Sequence, residues 1–394
     1  MSTIKIILLS VLMASAYFFA SDMYAPSLPS MAKALQVSAT TAQQTVTDFL
    51  IAFSLIQIFI GPLSERFGRR YIALLSSILF FIGAIFCLLS YNLNMLIIGR
   101  ILQGFAAGSL FLLARVIMQD SFDKEKLTSL LTWTGILFMT LPALTPTLGG
   151  FLEHYYGWKG SFFFMVLQSI LIFILLVFFL KETNLNKNMD AHKPKKIFND
   201  YKQIIKNFTF LTYTLFAVIS VSGILVFYLM GSFIAIQTFH ISPKIYGLSS
   251  LILISSSISG RFFTLNFLKK KFSEYYCFFI AFFILILGSL LMFIASYFAS
   301  YELVLFSIII FAFGSGCVLS MAPVGALYVF PSLKGQAAAM YGSLQMLGVF
   351  VITFIATHLT NSIEMMATLL SCISILGLIV LTMHKLPKKI KHET

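Results

Sequence analysis

Residues 42–91 read AQQTVTDFLIAFSLIQIFIGPLSERFGRRYIALLSSILFFIGAIFCLLSY. Two apolar runs, 42–62 and 71–91, flank a gap that carries Glu65, Arg66, Arg69 and Arg70. Each run has the roughly 20 residues that a helix needs to cross the hydrocarbon of a bilayer. A helix also satisfies its backbone groups internally, which lipid demands. The stretch therefore predicts a membrane-spanning helical hairpin with its charges gathered in the turn.

The same pattern extends in both directions. Apolar stretches at 5–25, 42–62, 71–91, 94–118, 127–151, 159–180, 208–237, 245–268, 274–297, 302–329, 335–358 and 364–384 predict twelve membrane helices. Of the 394 residues, 59% are hydrophobic and 10% charged, and the mean hydropathy is +0.94. A soluble domain carries about a quarter charged residues, so this chain has too little polar surface to cover itself in water. The alternating segments of an outer-membrane barrel are absent from the sequence. The expected fold class is an all-α polytopic membrane protein. Met1 to Lys5 followed by Ala14-Ser15-Ala16 has the look of a signal peptide, but the run continues through Phe18 to Asp22 and reads as the first membrane helix. The four cysteines lie inside apolar runs and read as small buried hydrophobes.

The formal charge of +13 resides in alternate gaps. One set holds Arg66, Arg69 and Arg70; Lys124 and Lys126; Lys269 to Lys271; Lys334; and the terminal Lys5, Lys385, Lys388, Lys389 and Lys391. The other set holds only Lys33, Lys159 and Lys244. This is orientation charge: the basic side faces the cytoplasm, and an even helix count puts both termini there. A basic patch interleaved with aromatics is missing outside the membrane segments, so nucleic acid is excluded as a partner. The lysine-rich segment 182–207 is the one long polar gap. It divides the chain into a six-helix bundle at 1–181, a linker at 182–207 and a second six-helix bundle at 208–394. An offset of 208 residues lays Phe105 over Phe313, Gly108 over Gly316, Lys126 over Lys334 and Trp133 over Tyr341, a weak internal repeat.

Ionisable residues inside a membrane helix cost several kcal/mol and mark function by default. Asp22, Asp48 and Arg100 are the informative ones. At 1.5 Å per residue, Asp22 lies roughly 25 Å beyond Lys5 and Asp48 roughly 20 Å above Gly61, with Arg100 also in the outer half. The three residues form the expected proton-coupling site. Burial favours the protonated carboxyl and a nearby guanidinium favours the ionised one, so a carboxylate can exchange a proton for a cation while arginine stays charged. Asp22 and Asp48, with Tyr17, Tyr24 and Tyr228, are the expected substrate-binding side chains. Arg115 and Asp120, at the inner end of the fourth helix, read as a structural salt bridge. The histidines fall in gaps or near the termini, and no metal site or cofactor is expected.

The ordered loop Gly61-Pro62-Leu63-Ser64-Glu65-Arg66-Phe67-Gly68-Arg69-Arg70 resembles the loop signature of the major facilitator superfamily, G-x-L-[SA]-[DE]-R-x-G-R-[RK]. Gly61 allows close helix approach and Gly68 a tight turn. Glu65 can face a helix N-terminus while the arginines bind carboxylates such as Asp120. Ser21-Asp22-Met23-Tyr24-Ala25-Pro26-Ser27-Leu28-Pro29 is similar to the TDMYLPALP stretch of the bicyclomycin-resistance/CflA group of drug:proton antiporters. Arg100-Ile101-Leu102-Gln103-Gly104 resembles the superfamily's helix-four motif, and Leu141 to Gly150 resembles the antiporter motif ending in P-x-x-G-G.

The resemblance implies two six-helix bundles of the major facilitator fold that rock around a central site. It implies a cytoplasmic gate at Gly61, Glu65, Arg66, Gly68, Arg69, Arg70, Arg115 and Asp120, and a sealing role for Pro142, Pro146, Gly149 and Gly150. Thr145, where the motif has Gly or Ala, and Asp48, where the group has a small or hydroxyl residue, depart from the pattern. The expected protein is not an enzyme. It is a proton-coupled, multidrug-type exporter of amphipathic or cationic small molecules. It would work as a monomer in the bacterial inner membrane, with small-molecule substrate, protons and the lipid bilayer as its partners. The alternative is an exporter or proton-symport importer of one natural metabolite, such as a siderophore.

Overall fold

The computed structural model describes residues 3–122, 124–184, 201–330 and 334–383, with the side chains of 124–139 and 334 outside the description. Residues 185–200 of the expected linker, the lysines from Lys385 onward, His192, His384 and His392, and the side chains of Lys124, Lys126, Trp133 and Lys334 thus lie outside the described residues. Eleven described helices are long and apolar enough to cross a membrane: α1 (Thr3–Ala34), α2 (Ala39–Phe67), α3 (Arg69–Leu89), α4 (Leu93–Ser121), α6 (Lys159–Phe179), α7 (Phe208–Thr238), α8 (Pro243–Lys271), α9 (Glu274–Phe298), α10 (Tyr301–Tyr328), α11 (Gly335–Thr357) and α12 (Ile363–Met383). The remaining expected span lies in α5, which runs Lys124–Tyr156.

Several spans are less regular than the apolar runs suggest. The run 5–25 continues to Ala34: a helix ends at Asp22, a 3₁₀ turn covers Ala25–Ser27, and Leu28–Ala34 resumes the helix. Pro26 and Pro29 place these restarts, because proline lacks a donor and suits only a first helical turn. The run 302–329 breaks after Leu319 and restarts at Ala322, with Pro323 in the first turn. Two π turns, Ile234–Thr238 and Thr264–Leu268, distort α7 and α8.

Helix starts are set by local chemistry. Ser38, Asn92, Asn207, Ser242 and Ser300 each accept a hydrogen bond from the backbone N–H three residues on, satisfying a donor that has no partner within the helix. Ser38 and Ser242, 204 residues apart, open α2 and α8; Asn92 and Ser300, 208 apart, open α4 and α10. These pairs are the duplicated halves seen at residue level. Helix packing repeats in the same way. In the first half α1 packs on α4, α5 and α6, α2 on α4, and α3 on α4 and α6. In the second, α7 packs on α10, α11 and α12, α8 on α10, and α9 on α10 and α12. Gly108 and Gly316 each sit against a carbonyl of the corresponding neighbour, Phe53 on α2 and Ser257 on α8. The halves meet along α5–α8 and α2–α11.

Apolar side chains cover the outside. Leu75, Ile78 and Ile82 on α3, and Phe283, Leu287, Leu290 and Ile294 on α9, are exposed stripes at helical spacing. Such stripes fit lipid, whereas water would drive them inward. We call the side holding the start of α1 and the α2–α3 turn the basic face, and the other the opposite face.

Candidate functional site

Asp22 ends the first helix of α1 and is only 5% exposed. It lies within electrostatic reach of Tyr17 on its own helix and of Tyr228 on α7. The Tyr228 hydroxyl is buried without a hydrogen-bond partner among the described residues. Tyr17 stands between the halves. Its ring packs against Phe53 at 4.5 Å and Phe111 at 5.5 Å, and its hydroxyl points at Met346 Sδ on α11 at 3.6 Å. A buried carboxyl, two phenols and a polarizable thioether thus converge where α1, α7 and α11 meet. Among the described residues Asp22 has no ion-pair partner.

Arg100 belongs to a separate cluster. It is fully buried on α4, with its guanidinium 4.5 Å from the ring centres of both Tyr24 and Phe49. Its Nε donates to the Thr45 carbonyl at 3.2 Å, and Nη1 to Gln103 Oε1 at 2.7 Å. The Tyr24 and Thr45 hydroxyls share a hydrogen bond of 2.9 Å. Half-buried Asp48 feels this arginine. The residues expected to form one trio therefore divide: Asp48 accompanies Arg100, while Asp22 faces the boundary between the halves. Tyr24 goes with the arginine as one of the two rings that enclose it.

At the basic face, Gly68 takes φ 105°, a backbone region open to glycine, and turns α2 into α3. Arg69 Nε then meets Asp120 Oδ2 at 3.0 Å, and its Nη1 reaches Ser64 Oγ at 2.5 Å and the Gly61 carbonyl at 3.5 Å. The expected salt bridge at Asp120 forms with Arg69, and Arg115 lies elsewhere. Arg115 sits 5.0 Å from the Phe111 ring and within electrostatic reach of Tyr341 on α11. The anion at the start of α3 is Glu182 instead of Glu65: its carboxylate accepts from the Arg69 and Arg70 backbone N–H groups at 2.8 and 3.3 Å. Glu65 precedes the turn on α2 and offers its backbone carbonyl to Asn184 Nδ2 at 2.9 Å. Arg70 Nη2 donates to the Val177 carbonyl at 3.0 Å, and Arg66 lies over the Phe67 ring at 4.9 Å.

At the opposite face the halves touch backbone to backbone, Gly150 against the Pro243 carbonyl and Gly247 against that of Pro146, while Gly149 lies against the Met23 carbonyl within the first half. The Ala143 carbonyl, one residue after Pro142, accepts from Ser250 Oγ at 2.9 Å. Thr147 Oγ1 donates to the Gly247 carbonyl at 3.1 Å, while the Thr145 hydroxyl is buried without a partner among the described residues. Gln43 Nε2 adds bonds to the Leu229 carbonyl at 3.1 Å and Asn361 Oδ1 at 2.8 Å. The Tyr246 hydroxyl donates to the Phe227 and Tyr228 carbonyls at 2.9 and 3.2 Å. Side chains thus engage the α7 carbonyls just before its π turn, consistent with a locally displaced helical ladder.

Sequence reasoning missed Glu182, Gln43, Phe111 and Met346. Phe111 and Met346 carry no charge and sit in runs of similar residues, and Gln43 looks like an ordinary start of a helix. Glu182 follows an apolar helix directly, so position alone marks it as an end residue.

A sequence profile of the Major Facilitator Superfamily matches residues 10–353. Multidrug resistance protein D of Escherichia coli (strain K12) is 25% identical over 387 residues, covering 95% of this chain and 94% of that protein. The bicyclomycin resistance protein homolog of Haemophilus influenzae is 28% identical over 261 residues, 65% of this chain and 64% of that protein. The inward-open xylose transporter XylE of E. coli has the same fold, with a TM-score of 0.78 at 15% identity over 100% of this chain and 98% of that one. With its two packed six-helix halves and a profile match over most of its length, the chain belongs to the Major Facilitator Superfamily and is a multi-pass membrane transporter.

Proposed function

We propose that the protein is a proton-coupled exporter of amphipathic or cationic small molecules, working by alternating access in the inner membrane of a bacterium. Two of its relatives are resistance proteins that match it over 95% and 65% of its length, which favours drugs over a single metabolite as cargo. The observation that carries the reading is Asp22: a buried carboxyl between the halves, facing Tyr17 and Tyr228, with no cation of its own. A proton or a cationic cargo can each neutralise it, and they do so in alternation. Tyr17, Tyr228 and Met346 supply the aromatic and polarizable surface for the cargo. Arg100, locked by Tyr24 and Phe49, tunes the charge on Asp48 at the side of the path.

The basic face is cytoplasmic, so both termini lie inside the cell and the bundles correspond to 1–181 and 208–394. The Arg69–Asp120 latch stiffens the cytoplasmic end of the first bundle, and the glycines and prolines of α5 seal the outer end against α8. The transporter works as a monomer, with substrate and protons as partners. Rocking about the α5–α8 and α2–α11 contacts would expose Asp22 to each side in turn. The test is transport by the purified protein in liposomes under an imposed pH gradient, with tetraphenylphosphonium as cargo. The wild type accumulates the cation against its gradient, and Asp22→Asn loses this drive while inserting normally. Full accumulation by Asp22→Asn would remove Asp22 from the coupling role.

A further inference from the structure

Arg115 has a role that the latch does not account for. It projects from α4 of the first half, beside Phe111. Opposite it, in the second half, stand Tyr341 on α11 and Arg261 on α8, and the Tyr341 hydroxyl lies within electrostatic reach of both arginines. Tyr341 is 6% exposed, and its hydroxyl has no hydrogen-bond partner among the described residues. Arg261 Nε is likewise buried without a partner among them. Among the described residues neither arginine forms a salt bridge. A guanidinium buried within a membrane protein loses hydration, a cost of several kcal/mol that a bound anion would relieve. The described protein supplies none.

Position along the membrane normal links this cluster to Asp22. Arg115 lies six residues from Ser121, Tyr341 seven from Lys334 and Arg261 ten from Lys271, roughly 9–15 Å inside the basic face. Asp22 lies nineteen residues beyond Thr3, roughly 25–30 Å inside the same face. A continuous wall joins the two levels. Asp22 is in reach of Tyr17, Tyr17 packs on Phe111, and Phe111 packs on Arg115. On the other side Tyr17 meets Met346, five residues along α11 from Tyr341. The boundary between the halves is therefore bipolar, acidic at one level and doubly basic roughly 15 Å away, with aromatic side chains between.

We propose that Arg115, Arg261 and Tyr341 form an anion-binding subsite for the cargo, so that the preferred cargo is an elongated zwitterion with its cation at Asp22 and a carboxylate or comparable anion at the arginines. This rests on the exporter reading above and narrows its substrate class. The Tyr341 hydroxyl and the guanidinium N–H groups would donate to the anion, as charge-assisted hydrogen bonds require.

The test uses the purified full-length protein and two intrinsically fluorescent probes: norfloxacin, which carries a piperazinium and a carboxylate at opposite ends of one ring system, and its ethyl ester, which keeps the cation and lacks the anion. Binding is read by fluorescence anisotropy. The wild type should bind norfloxacin about tenfold more tightly than the ester, and Arg115→Gln or Arg261→Gln should bring that ratio toward one. Arg115→Lys should keep part of the preference. The ratio is insensitive to partial loss of folded protein, and gel filtration identifies variants that fail to fold; Tyr341→Phe then provides a milder second reading. Equal wild-type affinities, or a preference that survives in both glutamine variants, would overturn the anion subsite and leave the exporter reading standing. Failure of the wild type to bind either probe would overturn both.

Discussion

Arg100 shows how a charge is held inside an apolar bundle. Two rings cover its faces and two acceptors take Nε and Nη1, while Nη2 has no partner among the described residues. Lysine has neither the planar face nor the fork that this arrangement uses. Arg100→Lys should therefore lower thermal stability in detergent by about 1–3 kcal/mol, read as a clear drop in melting temperature; an unchanged melting curve would show that the stacking is incidental. Asp22 presents the opposite case, a buried charge without a fixed partner. Asp22→Asn preserves size and hydrogen bonding, so it should leave folding near wild type while abolishing pH-driven accumulation in liposomes. At Asp48 the neighbouring arginine makes a milder outcome the expectation: Asp48→Asn should slow transport and keep its coupling to the gradient, as seen by comparing rates with and without the pH difference.

Among the elements, α3 and α5 depend most on small details. The N-terminus of α3 exposes donors and a partial positive charge, and Glu182 meets both. Glu182→Gln keeps the shape and removes the charge, a loss of about 0.5–1 kcal/mol. Faster amide hydrogen exchange over Arg69 to Ile72 would report it, and unchanged exchange there would deny Glu182 the capping role. In α5 the glycines leave no room for a side chain. A Cβ at Gly149 would collide with the Met23 carbonyl, and one at Gly150 with that of Pro243. These are backbone atoms that move only with their whole helix. Gly150→Val, whose added side chain would press on α8 of the second half, should accordingly shift the protein toward forms parted at the opposite face. Spin labels at Ser38 and His358, in a Cys372→Ser background, should lie farther apart in the variant; an unchanged distance distribution would mean that α5 does not control this seal.

For the whole molecule, repetition is the main structural fact. Six helices pack in one pattern and six more repeat it, with matched caps 204 and 208 residues apart. Two such units meet mainly along α5–α8 and α2–α11, and one continuous set of buried apolar side chains runs through both. The Gly61–Arg70 loop was legible in advance since its residues act locally: Gly68 makes the turn, and Arg69 finds Asp120 on the adjacent α4. The partner of Arg115 was not legible: its sequence neighbour Asp120 was the expectation, whereas the fold places Tyr341 within its reach. Shared depth grouped Asp48 with both Asp22 and Arg100, and the fold sets Arg100 within its reach while Asp22 stands apart.

The amino-acid sequence by itself determined that this chain lives in a bilayer, that it has twelve apolar spans in two groups, and that Asp22, Asp48 and Arg100 are charges which apolar helices must accommodate. Length, hydropathy and charge placement decide those matters, and all are local sums. Tertiary structure alone decided which face of each helix looks inward. A membrane helix is apolar all round, so hydropathy sets its length but not its rotation about its own axis. With each residue turning the helix by about 100°, that rotation decided whether a charge met a ring, a carboxylate or the opposite half. It placed Asp22 at the boundary, enclosed Arg100 within the first bundle, and set Arg115 across from Arg261 and Tyr341.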